Sequence, residues 1–482
     1  MHLQIIIRFL SILIVVLSIS MIPSLLISLI HREGETEPLL IAIFITFACG
    51  GLLNLMVRKG GENHLNHRDG IAIVTFGWLA AAFFGSLPYV LTGSIPGFTN
   101  AFFESMSGFT TTGASILSDI ESLPKSILFW RSLTQWLGGM GIIVLSIAIL
   151  PFLGVGGMQL YKAEIPSPVV DKLKPRISET AKVLWKVYIL ITAAEVVLLM
   201  FGGLTLFDAL CHAFSTMPTG GFSTKNASIA HFSSVYIHTV IIVFMLLAGI
   251  NFSLHYRLLT GDLKAFWRDS EFKVFMTLVG IFSLAVVIDI YGDMYKSIGE
   301  ALRHGIFQVS SIITTTGFVT ADFDQWPPLS RQVLLGAMFL GAMAGSTGGG
   351  IKIMRIMLLV KHCYQEIFRI IHPHAVTVVK LGGKPIPQDI LRGVWGFFIL
   401  FIGLFILATL AMAALGLDMI SSFAAVAASI GNIGPGLGMV GPVKNYLHVP
   451  EVGKWILIFC MLLGRLEIYT VIVLLTPDFW RK

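Results

Sequence analysis

Charged side chains are scarce in this sequence. Only 12% of its 482 residues are Asp, Glu, Lys or Arg and 55% are hydrophobic, whereas soluble globular domains carry about 25% charged residues. A chain of this length therefore has too few ionised groups to cover the surface of a soluble particle, which excludes a soluble enzyme. The same balance excludes a disordered chain and predicts an integral membrane protein.

Cysteine is also scarce, and the motifs of soluble cofactor sites are missing. The four cysteines, Cys49, Cys211, Cys363 and Cys460, are far apart and form no CxxC pair. Zinc, iron–sulfur and disulfide-scaffold classes therefore have no support. There is no GxxxxGK[ST] motif, and the GxGxG of residues 434–438 has no strand–helix–strand context. We expect this chain to hold no cofactor and, lacking a convergent Ser/His/Asp, His/Glu or metal set, not to be an enzyme.

Long apolar runs, in contrast, are abundant. A helix needs about 20 mainly apolar residues to cross a bilayer. The first run is too long for a signal-peptide h-region and lacks an AxA-type cleavage site, so we expect it to be retained. The ten predicted spans are approximately 4–30, 38–57, 70–91, 127–153, 183–204, 236–257, 272–291, 331–360, 391–415 and 453–475.

The even number of spans places both termini on one side of the membrane. Placing them in the cytoplasm puts most of the 33 lysine and arginine residues in inside loops, as the positive-inside rule requires. This topology explains the net charge of +6 without any nucleic-acid partner.

Four shorter apolar stretches lie in the outside connections after spans three, five, seven and nine. Stretches of 8 to 13 residues are too short to cross and are typical of re-entrant segments. They cover 102–109, 207–217, 301–313 and 420–430. Each ends in a glycine-containing loop, which we align on Gly113, Gly220, Gly317 and Gly434. The repeated order of span, short helix, glycine loop and span predicts a fourfold internal repeat.

The glycine loops suggest a cation filter. Non-helical backbone at membrane depth is tolerated only where it is buried in protein or lines a watery cavity. Glycine allows the backbone to turn successive carbonyls toward one axis, and rings of carbonyl oxygens replace the hydration shell of a cation in potassium channels. The alternative is a set of ordinary extracellular turns, since Thr-Gly is common in turns. Repetition in four matching places favours the filter.

These motifs resemble a known family. The segments FESMSGFTTTGAS (Phe103–Ser115) and AGSTGGGIKIMR (Ala344–Arg355), with the four glycine loops, are similar to the Trk branch of the Trk/Ktr/HKT superfamily of potassium transporters. The resemblance covers essentially the whole chain. It implies an all-α integral membrane fold with four pseudo-symmetric M1–pore helix–M2 repeats around one central pore, plus two extra N-terminal transmembrane helices.

On this basis we divide the chain into an N-terminal helix pair and four repeats. The pair covers 1–69, and the repeats cover 70–182, 183–271, 272–390 and 391–482. The predicted filter loops are 110–115, 217–222, 314–319 and 431–436, and the predicted gating loop is 345–350.

The resemblance implies potassium uptake across the bacterial inner membrane through a gated, channel-like pore driven by the membrane potential. The fourth loop departs from the pattern because it lacks a threonine before its glycine. The residues implied to bind K⁺ through their backbone are Thr111, Thr112, Gly113, Thr219, Gly220, Thr315, Thr316, Gly317, Asn432, Ile433 and Gly434.

Span 331–360 is interrupted by the run Gly345, Ser346, Thr347, Gly348, Gly349 and Gly350. Each glycine costs a helix about 1 kcal/mol relative to alanine, so we hypothesise a flexible loop across the permeation path on the cytoplasmic side of the filter. The alternative is a kink or a helix-packing face. The resemblance implies an intramembrane gating loop here, with Lys352 just beyond it.

Arg465 lies near the middle of the last predicted span. A central arginine costs about 2.5–3.5 kcal/mol on insertion scales, so we expect it to face the interior and to bind free carbonyls of the Gly345–Gly350 loop. The alternative is an arginine that snorkels to the interface.

A K⁺/H⁺ or K⁺/Na⁺ symporter is the alternative function. It requires a protonatable or ion-coupled residue, for which Glu104, Glu195 and Asp289 are the candidates. The resemblance also implies a homodimer with one pore per protomer. It implies a separate TrkA-like cytoplasmic ring that binds the regulatory nucleotide, ATP/ADP or NAD. The basic inside segments 162–182 and 352–392 are candidate docking surfaces for that ring or for anionic lipid.

Overall fold

The structure, a computed structural model, describes residues 1–57, 66–148, 177–375 and 377–481. Most of the described residues are helical. Short 3-10 turns occupy Ser228–His231, Phe323–Gln325, Gly438–Val440 and Val473–Leu475. In the described part of the chain, the strands are Lys380–Leu381 and Lys384–Pro385, which pair antiparallel.

The helices have the following bounds. They are Leu3–Ser20, Ile22–His31, Thr36–Met56, His67–Leu91, Phe98–Phe109, Lys125–Ala148, Ile177–Phe201, Leu206–Thr216, Val235–Gly249, Phe252–Leu259, Ala265–Arg268, Ser270–Ile290, Ile298–Ile313, Pro328–Ala337, Ile353–Ile371, Gln388–Ala414, Met419–Ile430, Glu451–Arg465, Tyr469–Ile472 and Pro477–Trp480.

Several helices are long and apolar enough to cross a membrane, which confirms the prediction of a multi-pass membrane protein. Many of their large apolar side chains are exposed, among them Phe44, Ile288 and Leu407, as lipid-facing surfaces require. In the described residues, six such spans are Leu3–His31, Thr36–Met56, Arg68–Leu91, Thr180–Phe201, Ser270–Ile290 and Gln388–Ala414. They correspond to six of the predicted spans. The helix Lys125–Ala148 covers the described part of a seventh.

The other three predicted spans, 236–257, 331–360 and 453–475, are broken rather than continuous helices. The predicted interruption of 331–360 is confirmed, whereas the prediction of unbroken helices at 236–257 and 453–475 is wrong. In the first, Val235–Gly249 and Phe252–Leu259 meet at 103°, because the side chain of Asn251 caps the second helix and thereby starts it in a new direction.

In the last, Glu451–Arg465 and Tyr469–Leu475 meet at 114°. Glu467 and Ile468 have positive φ angles of 56° and 55°, which end the first helix. In the middle one, the chain is non-helical from Met338 to Lys352, a wider break than the predicted loop 345–350.

Four short helices lie between the long ones, and we number them short helices 1 to 4. They are Phe98–Phe109, Leu206–Thr216, Ile298–Ile313 and Met419–Ile430. Side chains of Thr205 and Asp418 cap the starts of the second and fourth. The last two residues of every short helix are buried, so the C-terminal ends of these helices lie inside the protein.

Candidate functional site

Each short helix ends in the same backbone turn. One loop amide donates to the carbonyl five residues before it, and the residue preceding that amide is left-handed, as in a Schellman C-cap. The amide–carbonyl pairs are Thr112–Ser107 at 2.9 Å and Gly220–Ser215, Thr316–Ser311 and Ile433–Ala428 at 2.8 Å each. The left-handed residues are Thr111, Thr219, Thr315 and Asn432, with φ between 52° and 59°. Threonine is strained in this conformation, and such strain clusters at functional sites.

The shared geometry corrects the predicted register of the second loop. A glycine with positive φ follows each capped amide: Gly113 (79°), Gly221 (75°), Gly317 (82°) and Gly434 (98°). Gly221 therefore occupies the position that the sequence alignment gave to Gly220. Gly220 instead corresponds to Thr112, Thr316 and Ile433. The alignment failed because two glycines are adjacent in this loop, but matching Thr219 to Thr111 gives the correct register.

The four loops meet in a closed ring. A Cβ atom added to each of these glycines would collide with a backbone oxygen of the next loop. The distances are 2.1 Å from Gly113 to Gly220 O, 2.1 Å from Gly221 to Thr316 O, 2.0 Å from Gly317 to Ile433 O and 2.7 Å from Gly434 to Thr112 O. Each loop touches the next and the fourth touches the first, so the loops surround one axis. We call Thr112, Gly220, Thr316 and Ile433 the ring residues and their backbone oxygens the ring oxygens.

Side chains support the ring differently in each loop. Hydroxyl pairs join Thr110 to Thr112 and Thr314 to Thr316, both at 2.8 Å. In the fourth loop the amide of Asn432 donates to Thr112 Oγ1 and to Met461 O, both at 2.9 Å. Asparagine thus replaces the missing threonine by linking loop 4 directly to loop 1.

The non-helical segment 338–352 folds back on itself and presents a tip to the ring. At its neck, the amide of Gly341 donates to Ile351 O at 2.8 Å. We call Gly345–Gly350 the tip. Thr347 Oγ1 donates to Met217 O at 2.9 Å, and the amide of Gly349 donates to Thr315 Oγ1 at 2.7 Å.

The tip also touches the fourth loop. A Cβ on Gly349 would lie 2.4 Å from Gly431 O. All these contacts are on the side of the ring where the short helices end. The tip therefore lies against loops 2, 3 and 4.

Arg465 links the tip to the first of the four predicted repeats. Its buried guanidinium donates from Nη1 to Thr347 O at 2.7 Å and from Nη2 to Gly138 O at 3.0 Å. Gly138 belongs to the helix Lys125–Ala148. The predicted contact between Arg465 and a carbonyl of the tip is confirmed. Arg465 is, however, the last residue of its helix rather than the centre of a continuous span.

Further charged side chains hold the tip and its neck. Lys352 Nζ donates to Gly348 O, and Arg355 pairs with Glu467.

Glu271 holds both sides of the neck with one carboxylate oxygen. Its Oε1 accepts from the amides of Ala344 and Met354, both at 2.9 Å. Sequence reasoning missed Glu271 because an acidic residue in the first turn of a helix is ordinary.

The three carboxylates proposed for proton coupling differ in their surroundings. Glu104 accepts two hydrogen bonds from Arg131, at 2.8 and 2.9 Å, so it belongs to a buried ion pair. Asp289 accepts from the amide and hydroxyl of Ser330, at 2.8 and 2.6 Å, and thereby fixes the start of a helix.

Glu195 is the exception. It is fully buried, and neither carboxylate oxygen has a hydrogen-bond partner among the described residues. The hydroxyl of neighbouring Thr216 donates instead to His212 O at 2.8 Å. In the described part of the chain, no group of three His, Cys, Asp or Glu side chains is placed to hold a metal ion.

Comparison with known proteins gives matches over the full chain. The TrkH family, described as cation transport protein, matches residues 36–482. The Trk system potassium uptake protein TrkH of Escherichia coli (strain K12) is 46% identical, with all of both chains covered. The Trk system potassium uptake protein TrkG of the same strain is 36% identical, covering 100% of this chain and 99% of the relative. The crystal structure of the potassium transporter TrkH from Vibrio parahaemolyticus superposes with a TM-score of 0.92 at 40% identity, covering all of both chains.

Proposed function

Because the chain belongs to the TrkH family of cation transport proteins, we propose that it takes up potassium across the bacterial inner membrane with both termini in the cytoplasm. The observation that carries this proposal is the closed ring of four glycine loops. The negative-inside membrane potential supplies the driving force, about 2.3 kcal/mol per charge per 100 mV.

K⁺ binds at the ring through backbone oxygens. The four ring oxygens come from equivalent positions on four sides of one axis, the arrangement by which a filter replaces the hydration shell of a cation. The filter comprises the eleven predicted residues together with Gly221. Glycine is required after each ring residue because a side chain there would enter the space of the next loop's oxygen, at 2.0–2.7 Å.

The tip is the gate. It lies against loops 2, 3 and 4, and Arg465 connects it to Gly138 of the first repeat, so the path is closed on the side where the short helices end. Arg465 and Lys352 also place positive charge beside that path, which opposes the passage of a cation. The anchors on Thr347 O and Gly348 O release when the gate opens.

A partner supplies the regulation. A TrkA-like cytoplasmic ring with bound nucleotide (ATP/ADP or NAD) docks on a homodimer of this chain through the basic segment 352–392. In the other candidate docking segment, 162–182, residues 162–176 are not among those that the structure describes.

The test is ion-replacement flux with purified protein in liposomes, with and without an imposed voltage. We expect K⁺ entry to follow an inside-negative potential, and Gly317→Ser to change the K⁺:Na⁺ permeability ratio. Gly403→Ser is the matched control, because a Cβ on Gly403 has nothing within 4 Å. An unchanged ratio in Gly317→Ser would contradict the filter assignment.

The second candidate function is K⁺/H⁺ symport, which is favoured by the buried carboxyl of Glu195, for which the described residues provide no hydrogen-bond partner. Under this function a proton gradient drives K⁺ uptake at zero voltage, and Glu195→Gln abolishes that component while voltage-driven flux remains. Absence of pH-driven uptake in the unmodified protein eliminates symport.

A further inference from the structure

The ring is not chemically uniform, and the difference lies in its second loop. Three ring residues have side chains: Thr112, Thr316 and Ile433. The fourth is Gly220. The space beside Gly220 is filled by Gln135 from the helix Lys125–Ala148, since a Cβ on Gly220 would lie 2.4 Å from Gln135 Cδ. A side chain from another helix thus replaces the one that this loop lacks.

Gln135 forms two hydrogen bonds with loop 2. Its Nε2 donates to Gly220 O at 2.7 Å, and its Oε1 accepts from the amide of Phe222 at 3.1 Å. The side chain is completely buried, and donor and acceptor ends of the amide are both used. Exchanging Nε2 and Oε1 would place a donor against the amide of Phe222 and an acceptor against Gly220 O, so the orientation of the Gln135 amide is fixed.

The same helix face holds the next part of the loop. Arg131 lies one turn before Gln135, on the same side of the helix. Its Nη1 donates to Ser223 O at 3.3 Å, and its guanidinium lies 4.2 Å from the centre of the Phe222 ring. Arg131 is itself held by an ion pair with Glu104. Two buried side chains of one helix, Arg131 and Gln135, therefore hold loop 2 in place.

The hydrogen bond from Gln135 singles out one ring oxygen. Among the described residues, Gly220 O is the only one of the four ring oxygens that accepts a hydrogen bond from a side chain. A donor on one lone pair fixes the position of that oxygen and draws electron density away from it. Selectivity in carbonyl filters depends on both the position and the field strength of the oxygens.

We propose that Gln135 is a specificity-determining residue: it sets the position and field strength of the Gly220 oxygen and thereby tunes discrimination among monovalent cations. This proposal rests on the filter function proposed above. Gln135 touches the filter, not the ion, and so acts as a positioning residue.

The test compares K⁺:Na⁺ and K⁺:Rb⁺ permeability ratios, obtained from reversal potentials of purified protein in liposomes. Gln135→Glu keeps the shape and the acceptor for Phe222 but cannot donate to Gly220 O when ionised. Gln135→Met keeps the volume and removes both hydrogen bonds. We expect each variant to shift at least one ratio by about three- to tenfold, as loss of one hydrogen bond implies. Unchanged ratios in both would overturn the proposal.

Asn100→Leu is the matched control. Its amide also donates to a backbone oxygen, Pro96 O, at 2.9 Å, and accepts from Lys454 Nζ at 2.8 Å, but neither partner is part of the ring. Both ratios should stay at their unmodified values. Gly317→Ser separates the two proposals: if it shifts the ratios and the Gln135 variants do not, only the role of Gln135 fails. If none of these variants shifts a ratio, the filter itself fails.

A pair of variants keeps the test decisive if a Gln135 variant does not fold. Gly220→Ala should lose K⁺ flux because its Cβ collides with Gln135, and adding Gln135→Ala should restore flux with an altered K⁺:Rb⁺ ratio. Restored flux with an unmodified ratio would contradict the proposal, and so would a failure of Gln135→Ala to restore flux.

Discussion

The ring and the tip lie in contact with each other but are built in opposite ways. The ring is made four times from local backbone, each turn closed by a hydrogen bond that spans five residues. The tip occurs once, and two residues from distant parts of the chain, Arg465 and Glu271, hold the tip and its neck. Lys352, close to the tip in sequence, adds a third contact. Different side chains therefore fit at the ring residues, but no Cβ fits at the glycine that follows each of them. The tip depends instead on single charged side chains.

The largest expected effect comes from breaking the ring. In Gly113→Ala the new Cβ would lie 2.1 Å from Gly220 O, and the backbone at φ 79° disfavours alanine. Left-handed strain and overpacking together cost about 2–5 kcal/mol, so we expect K⁺ flux to fall by about a hundredfold. Flux in liposomes measures this, with Gly403→Ala as the control. Near-normal flux would mean that the glycines do not close the ring.

The next effect comes from removing one anchor of the tip. Arg465→Ala removes the donors to Thr347 O and Gly138 O. A hydrogen bond from a charged group contributes about 1.5–3 kcal/mol, so the closed state should weaken and basal flux without a partner should rise by about ten- to hundredfold. Arg465→Lys keeps the charge and a donor and should give a smaller rise. Flat or lower flux in Arg465→Ala would remove Arg465 from the gate.

Glu271 should have an intermediate effect, because backbone hydrogen bonds also hold the neck. Glu271→Ala leaves the amides of Ala344 and Met354 without their acceptor, and we expect basal flux to rise by about three- to tenfold. Glu271→Gln keeps an oxygen in place and should stay close to the unmodified protein. Equal flux in Glu271→Ala and Glu271→Gln would show that the neck does not need this acceptor.

The smallest effect should come from a side chain of the ring itself. Thr316→Val keeps the shape and removes one hydroxyl of the pair with Thr314, at a cost of about 0.5–1.5 kcal/mol in the free energy of unfolding. Loop 4 already has an isoleucine at this position, so the K⁺:Na⁺ ratio should change by less than about twofold. A large change would show that the hydroxyl, and not only the backbone, shapes the filter.

The contrast also explains what the sequence could predict. Four similar loops at matching places revealed the ring, because repetition is visible in one sequence. A buried arginine needs acceptors, so the contact of Arg465 with a tip carbonyl followed from its depth and from the glycine run. The predicted register of loop 2 was wrong because Gly220 and Gly221 are adjacent, and the sequence alone does not show which of them matches the glycines of the other loops.

Long-range contacts were harder to predict. Hydropathy shows how apolar a segment is but not where it bends, so the turns at Asn251 and Glu467 were missed. The pairings of Glu271 with the neck, Arg131 with Glu104 and Gln135 with Gly220 join residues far apart in the chain. No local pattern reports such pairs.

All four sides of the ring belong to one polypeptide, so a single amino-acid substitution changes only one of the four sides. In a symmetric tetramer the same change is imposed at every side at once. Gln135 and Asn432 show that the sides already differ in their supports. Substitutions in the side-chain supports of one loop can therefore change that side alone, in small steps, while the glycine backbone that closes the ring is kept.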